Sequence, residues 1–147
     1  MRSGHLPTYN RVKGSKYKSK KIELDGHVFA SKTEAKYYSY LLVLQARGEV
    51  KSFEMQRTFE LQPKFDHPTE KRKNGKPRVF SAIKYTPDFV VEYEDKSIRY
   101  VDVKGSKNYD MNRDFKLRAK LFMFKYNVTI HVAYFDSKTK SFIETAL

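Results

Sequence analysis

Between residues 21 and 147 the apolar positions change period several times, and each change marks a new element. In IELDGHVF they alternate on both sides of Asp25-Gly26, a pair that favours a two-residue hairpin turn. Ser31 followed by Glu34 is a capping box that opens a helix. Ala35, Tyr38 and Leu42, at i, i+3 and i+7, predict one buried helix face, and Gly48 predicts its end. VKSFEMQRTFELQPKF, from Val50 to Phe65, alternates well enough for one or two strands. DHPTEKRKNGKPR then breaks the periodicity around Asn74-Gly75 and reads as a long exposed basic loop or hairpin tip. VFSAIKYTPDFVVEY and SIRYVDVKG read as two strands. A second helix is predicted over MNRDFKLRAKLFMFKY, capped by Asn108 or Asp110 and stopped at Asn127. VTIHVAYF, bounded by Asp136-Ser137, reads as the last strand. No internal repeat is visible. Helix, strands, helix, strand in that order describes an α/β (α+β) domain with one central mixed β-sheet flanked by helices.

Composition narrows the partners. The 147 residues fit one domain, and 39 % hydrophobic with 15 % aromatic residues is enough to build a core. The net charge of +13 points to a polyanion, with nucleic acid ahead of an anionic membrane surface. The longest apolar run, YYSYLLVLQA, is far too short to span a bilayer. Residues 1–20 contain Arg2, Arg11, Lys13, Lys16, Lys18 and Lys20, with no acid before Glu23, and read as a flexible basic arm on a single domain over 21–147. No apolar segment follows the charged start, so no signal peptide is expected. The absence of Cys fits a reducing cytoplasm and excludes thiolate metal sites and disulfides. The four His show no metal-ligand spacing, and His131 reads as a satisfied strand residue.

Against this basic background, two acidic positions stand out. If Glu94-Asp95-Lys96 is a hairpin turn with Tyr93 facing Ser97, equal outward steps bring Asp88 opposite Asp102. Like charges directly opposed in a sheet destabilise it, so stability does not select this arrangement. A divalent cation between them turns repulsion into chelation, and two carboxylates with waters are a usual way to hold Mg²⁺. Lys104, two residues beyond Asp102, shares its face by strand alternation. Two acids and a cation on one surface suit phosphodiester hydrolysis, which needs an activated water and neutralised phosphoryl charge. Gln56 lies in a strand bordering this surface and reads as structural.

Pro87-Asp88 followed by Asp102-Val103-Lys104 resembles the PD-(D/E)xK nuclease superfamily. SKTEAKYY, YTPDFVV and YVDVKG look closest to small bacteriophage nucleases of the endonuclease I type, which resolve Holliday junctions. The resemblance spans roughly residues 21 to 135 and implies a restriction-endonuclease-like core with the active site at a fork between two strands. It implies Glu34, Asp88 and Asp102 as metal ligands for Mg²⁺, with Mn²⁺ as a substitute, and Lys104 as the group that positions or activates the attacking water. Endonuclease I carries Glu where this chain has Asp102, and the superfamily accepts either. The expected activity is a metal-dependent endodeoxyribonuclease selective for branched DNA, in the host cytosol if phage-encoded. The alternatives are a sequence-directed or transposase-type nuclease, which the YTPDF string also resembles, and a non-catalytic nucleic-acid-binding or anti-restriction protein on a nuclease fold.

Phosphate contacts are expected from Lys18, Lys20 and Lys21 of the arm, from Lys71, Arg72, Lys73, Lys76 and Arg78, and from Arg113, Lys116 and Lys120 on the second helix. That helix carries an apolar stripe of Phe115, Ala119, Phe122 and Tyr126 and a second one of Leu117, Leu121 and Phe124. The second stripe must be covered by the basic loop, the C-terminal segment or another chain, and a homodimer is the expected assembly.

Overall fold

The computed structural model describes residues 21–147, so the basic arm, with Lys18 and Lys20, lies outside the described residues. β1 (Ile22–Leu24) and β2 (His27–Phe29) form the expected hairpin, with Asp25 and Gly26 both in the left-handed region that such a turn requires. α1 (Lys32–Ala46) starts at Ser31, whose hydroxyl accepts from the Glu34 N–H at 3.1 Å. The helix ends ahead of Gly48, at φ +74°. Its buried residues are Ala35, Tyr37, Tyr38, Leu41 and Leu44, and Leu42, expected inside, is exposed. The stripe is displaced because α1 is covered from two sides. Tyr37 and Leu41 join the core shared with the sheet, while Tyr38 packs its ring on His27 and Phe29 of the hairpin.

The chain continues through β3 (Val50–Met55), β4 (Phe59–Gln62), β5 (Phe65–Lys71), β6 (Pro77–Phe80), β7 (Ile83–Tyr85), β8 (Phe89–Tyr93) and β9 (Ile98–Lys104). After α2 (Arg113–Tyr126) come β10 (Ile130–Asp136) and β11 (Ser141–Ala146). Five strands form one mixed sheet in the order β11-β10-β9-β8-β3, parallel at β9–β10 and antiparallel elsewhere. Several boundaries differ from the expectation. VFSAIKYTPDFVVEY is three strands, because it changes partner twice: β6 pairs with β5, β7 with β4, and β8 with the central sheet. Of the two readings of the aperiodic basic segment, the hairpin holds, with Gly75 at φ +78° in its turn, and its flanking strands are not legible in the sequence because exposed strands carry no alternation to read. The cap of α2 is Asn112, whose side chain accepts from the Phe115 N–H at 2.7 Å, in place of Asn108 or Asp110. Asn127 stops α2 in the left-handed conformation, as expected. β11 is an additional edge strand beyond β10.

Two cores sit on the two faces of the sheet. On one, Tyr37, Leu41 and Leu44 of α1 meet Phe89, Val91, Val101 and Val103. On the other, Ala119 and Phe122 of α2 meet Tyr85 and Ile130, with Phe59 and Tyr100 packed alongside. Phe122 is fully buried and its ring lies about 5 Å from those of Phe59, Tyr85 and Tyr100. Truncating such a residue to Ala costs about 3–5 kcal/mol. His131 is not the satisfied strand residue expected: among the described residues its buried Nδ1 has no hydrogen-bond partner, and burial holds its pKa below the usual value.

Candidate active site

Pro87 is fully buried where the chain leaves β7 and enters β8. It has no N–H to leave unpaired, which suits it to the point where one ladder ends and another begins. The turn behind β8 donates from Tyr93 N to Ser97 O, and the ladder runs Glu92↔Ile98, Val91↔Arg99, Val90↔Tyr100, Phe89↔Val101. This is the register the sequence predicts. The last ladder pair is Phe89↔Val101, so Asp88 stands one step past it, where the strands separate.

The fork is held by Asp88 itself. Its Oδ2 accepts from the Val103 N–H at 2.8 Å and its Oδ1 from Gln56 Nε2 at 3.3 Å. On the other side its carbonyl accepts from the Gln56 N–H at 3.1 Å. Gln56 sits at φ +54°, a left-handed conformation that costs a non-glycine residue about 1–2 kcal/mol. The ladder between β3 and β8 ends one residue earlier, at Met55↔Phe89. Both neighbours of β8 therefore part from it at the same level.

Asp102 lies inside the sheet, paired with Val132 of β10, and is 5 % exposed. Its Oδ2 accepts from the Tyr85 hydroxyl, and its Oδ1 is 3.9 Å from Lys104 Nζ. Lys104 is therefore on the face of Asp102 as strand alternation requires, and its ammonium rests 4.6 Å above the centre of the Phe115 ring. Burial, and after it the charge of Asp88, pushes the Asp102 pKa up to about 6. Asp88 is raised by burial against its Val103 and Lys104 partners, and Glu34 is raised by burial and by Asp88. Burial, then Asp102, holds the Tyr85 hydroxyl far above its ordinary value, so it stays a donor. Three acids with raised pKa values around one lysine mark this as a candidate functional site.

Two clefts open at the fork. One of about 620 Å³ is lined by Lys21, His27, Glu34, Gln56 and Asp88. The other, of about 450 Å³, is lined by Thr58, Tyr85, Thr86, Asp102, Phe115 and Arg118. Glu34 closes the first cleft while serving its helix, accepting from the Ala30 N–H at 3.2 Å and from the Ser31 hydroxyl at 3.1 Å. Among the described residues no three His, Asp or Glu side chains are gathered so as to hold a metal ion. The three expected ligands are near enough to feel one another's charge, Asp88 acting on both Asp102 and Glu34, but are not gathered as a trio.

Three residues at the site lay outside the predicted set. Tyr85 and Phe115 come from β7 and α2, elements whose approach to Asp102 is tertiary, although the YTPD run holds Tyr85 close to Asp88. Gln56, expected to be structural, touches Asp88 twice; its φ is the distinguishing sign, and no residue pattern displays it. Among the predicted phosphate-contacting residues, Lys21 borders the first cleft, Lys71, Arg72, Lys73, Lys76 and Arg78 are exposed on the β5–β6 hairpin, and Arg113, Lys116 and Lys120 are exposed on α2. No helix among the described residues is long and apolar enough to cross a membrane. No curated protein and no solved structure matches the chain significantly. A family match covers residues 14–142, and by it the chain belongs to the family described as protein of unknown function (DUF1064).

Proposed function

We propose that this protein is a divalent-cation-dependent endonuclease that hydrolyses phosphodiester bonds in DNA, with branched DNA as its preferred substrate and a restriction-endonuclease-like core as its scaffold. The observation that carries the reading is the pair of half-buried and buried carboxylates, Asp88 and Asp102, held at the sheet fork beside Lys104. Burying two acids next to one another opposes folding, and the ion pair set against it among the described residues is long, with Lys104 Nζ 3.9 Å from Asp102 Oδ1.

The donor chemistry fits a hard cation. Each carboxylate has protein hydrogen bonds that fix its orientation, from Val103 and Gln56 to Asp88 and from Tyr85 to Asp102, and each retains lone pairs for a further ligand. Mg²⁺ uses one or two carboxylates and completes its shell with water and phosphate oxygens, and Mn²⁺ accepts the same donors. Held by Asp88 and Asp102, it would supply Lewis-acid polarisation of the phosphoryl group and a more acidic water.

The chain's own residues do the rest. Lys104 places a positive charge where the phosphoryl oxygens gain negative charge, and Phe115 keeps its ammonium in place. Tyr85 holds one oxygen of Asp102, turning the other toward Lys104. Net charge of +13 concentrates the polyanion at the surface. Cutting two strands of a junction calls for two such sites, and the stripe of Leu117, Leu121 and Phe124 is exposed, Phe124 by 89 %, with neither the β5–β6 hairpin nor β11 covering it. We propose a homodimer through that stripe.

The test is a labelled four-way junction and its matched linear duplex, each incubated with Mg²⁺, Mn²⁺ or EDTA, with light scattering on the same samples. Metal-dependent incision, stronger on the junction, is expected from a species of twice 17.4 kDa. No incision of either DNA with either metal sinks the nuclease reading and leaves a DNA-binding protein. Incision by a monomer sinks the dimer.

A further inference from the structure

Among the described residues the β5–β6 hairpin has few contacts with any other element of the fold: β5 and β6 pack chiefly on each other. Apart from His67 and Phe80, every residue from Phe65 to Phe80 is exposed. A lone two-stranded hairpin is marginal in water, yet this one is braced along its length. Phe65 and Phe80 stack at its base, ring centres 5.0 Å apart and nearly parallel. Arg78 covers the Phe80 ring at 5.1 Å and bonds Glu70 across the strands at 2.8 Å. At the far end the Asn74 side chain accepts from the Lys76 N–H at 3.1 Å, and Arg72 and Lys76 close the turn through a backbone bond of 2.7 Å.

A braced ribbon whose faces are left open by the other described residues is shaped for something outside the fold. Its charges say what. The segment carries Lys71, Arg72, Lys73, Lys76 and Arg78 against Asp66 and Glu70, and four of its five cations crowd the tip. The four residues of β6, at about 3.3 Å each, make the ribbon roughly 13 Å long with strands about 4.8 Å apart, and β5 takes up its extra residues in a bulge between Asp66 and Lys71, where the Thr69 and Glu70 N–H groups donate to His67 Nδ1. The major groove of B-form DNA, about 12 Å wide and 8.5 Å deep, admits a two-stranded ribbon of this kind. The deep, narrow major groove of an RNA duplex does not.

We propose that the β5–β6 hairpin is a DNA-reading arm that enters the major groove of a duplex segment beside the fork, its tip cations on the flanking phosphates. The inference deepens the nuclease reading and rests on DNA being the substrate. It assigns the hairpin to duplex arms and leaves the scissile strand to the clefts at Asp88 and Asp102.

The test is dimethyl sulfate protection on a duplex of about 30 base pairs, in EDTA so that cleavage plays no part. Methylation at guanine N7 reports the major groove and at adenine N3 the minor groove. Wild-type protein is expected to protect a run of N7 positions. The variant Lys71→Ala/Arg72→Ala/Lys73→Ala/Lys76→Ala, all exposed positions, should lose those protections, bind at least tenfold more weakly, and show a log–log salt slope shallower by about 0.9 for each phosphate contact removed. Lys73→Glu alone should weaken binding severalfold, and an RNA duplex of the same sequence should bind far less than DNA. Unprotected N7 positions, an unchanged affinity in the quadruple variant, or equal binding of the RNA duplex overturns the proposal. Cleavage measured separately in Mg²⁺ keeps the two readings apart. Incision without N7 protection removes the arm and keeps the nuclease, and protection without incision does the reverse.

Discussion

The sheet fork and the β5–β6 hairpin divide the molecule's charges in opposite ways. At the fork, Asp88 and Asp102 are withdrawn from water and oriented by hydrogen bonds from Gln56, just past β3, and from β7 and β9. On the hairpin, five cations stand in solvent, with few contacts from the other described elements behind them. Burial makes the acids expensive and precise, since their oxygens cannot swing, whereas exposure makes the cations cheap and adaptable. Chemistry at a fixed phosphorus atom needs the first kind of charge, and holding a long anionic backbone needs the second. Substitutions at the fork should therefore change turnover and stability while leaving binding intact, and those on the hairpin should change binding alone.

The sharpest way to break that division is to neutralise a fork acid. Asp102→Asn and Asp88→Asn should each lower cleavage by at least about a thousandfold while DNA affinity in EDTA holds or rises. Stability supplies an independent readout. The Asp102 carboxyl titrates near 6 in the folded protein and near 3.8 when exposed, so the fold binds its proton more tightly than the unfolded chain does. The stability linked to that proton is complete below about pH 3.8 and is lost as the pH rises through 6. Without metal the wild type should accordingly weaken as the pH rises from about 3.8 through about 6, by an amount on the order of 3 kcal/mol in all. Asp102→Asn should lack that loss and exceed wild type in Tm at pH 7.5. Asp88 and Glu34 are shifted in the same direction and would add to the wild-type slope. A destabilised Asp102→Asn at neutral pH would make the carboxylate a structural element and undo the site.

How much of this was legible in the sequence depends on whether each feature is local. The register that brings Asp88 up to Asp102 follows from one tight turn and equal steps, and the structure keeps it, with Lys104 on the Asp102 face. Both helices, the Asp25-Gly26 hairpin and the stop at Asn127 rest on caps and turns a few residues long. The changes of partner were not legible. Ser81-Ala82 and Thr86-Pro87-Asp88 interrupt what reads as one apolar run, because β7 leaves for β4 and only then does β8 enter the central sheet. Leu42 reads as buried only on a helix with one amphipathic face, and α1 is covered on two. Tyr85 and Phe115 reach Asp102 and Lys104 through tertiary packing, which no spacing along the chain encodes.

A smaller effect is expected at Lys104, the one exposed-to-buried hybrid in the comparison, since its ammonium lies over the Phe115 ring and also faces Asp102 at the fork. Lys104→Ala should reduce turnover by about a hundredfold, the scale of losing one preorganised donor at a developing oxyanion. Mg²⁺ affinity, measured by calorimetry on the free protein, should stay equal or fall slightly. Phe115→Leu, which keeps the packing and removes the ring face, should reproduce a part of the turnover loss. Were Lys104→Ala to abolish metal binding as well, its place would be beside the ion and not at the phosphoryl oxygen.

The smallest effect is expected at Gln56, where geometry and chemistry can be separated. The left-handed φ of +54° bends β3 away from β8, and the side-chain amide donates to Asp88 Oδ1. Glycine adopts that φ without strain, so Gln56→Gly keeps the bend and deletes the amide. Losing the hydrogen bond costs about 1.5 kcal/mol at a charged acceptor, and relief of strain returns a comparable amount. Thermal stability should then match wild type to within about 1 kcal/mol, while turnover falls about tenfold because Asp88 loses one of the two donors that fix it. Gln56→Ala forfeits the amide and keeps the strain, so it should match Gln56→Gly in turnover and lie below it in Tm. If both variants cleave at the wild-type rate, Gln56 is a turn residue that happens to lie beside Asp88, and the orientation of that carboxylate rests on the Val103 N–H.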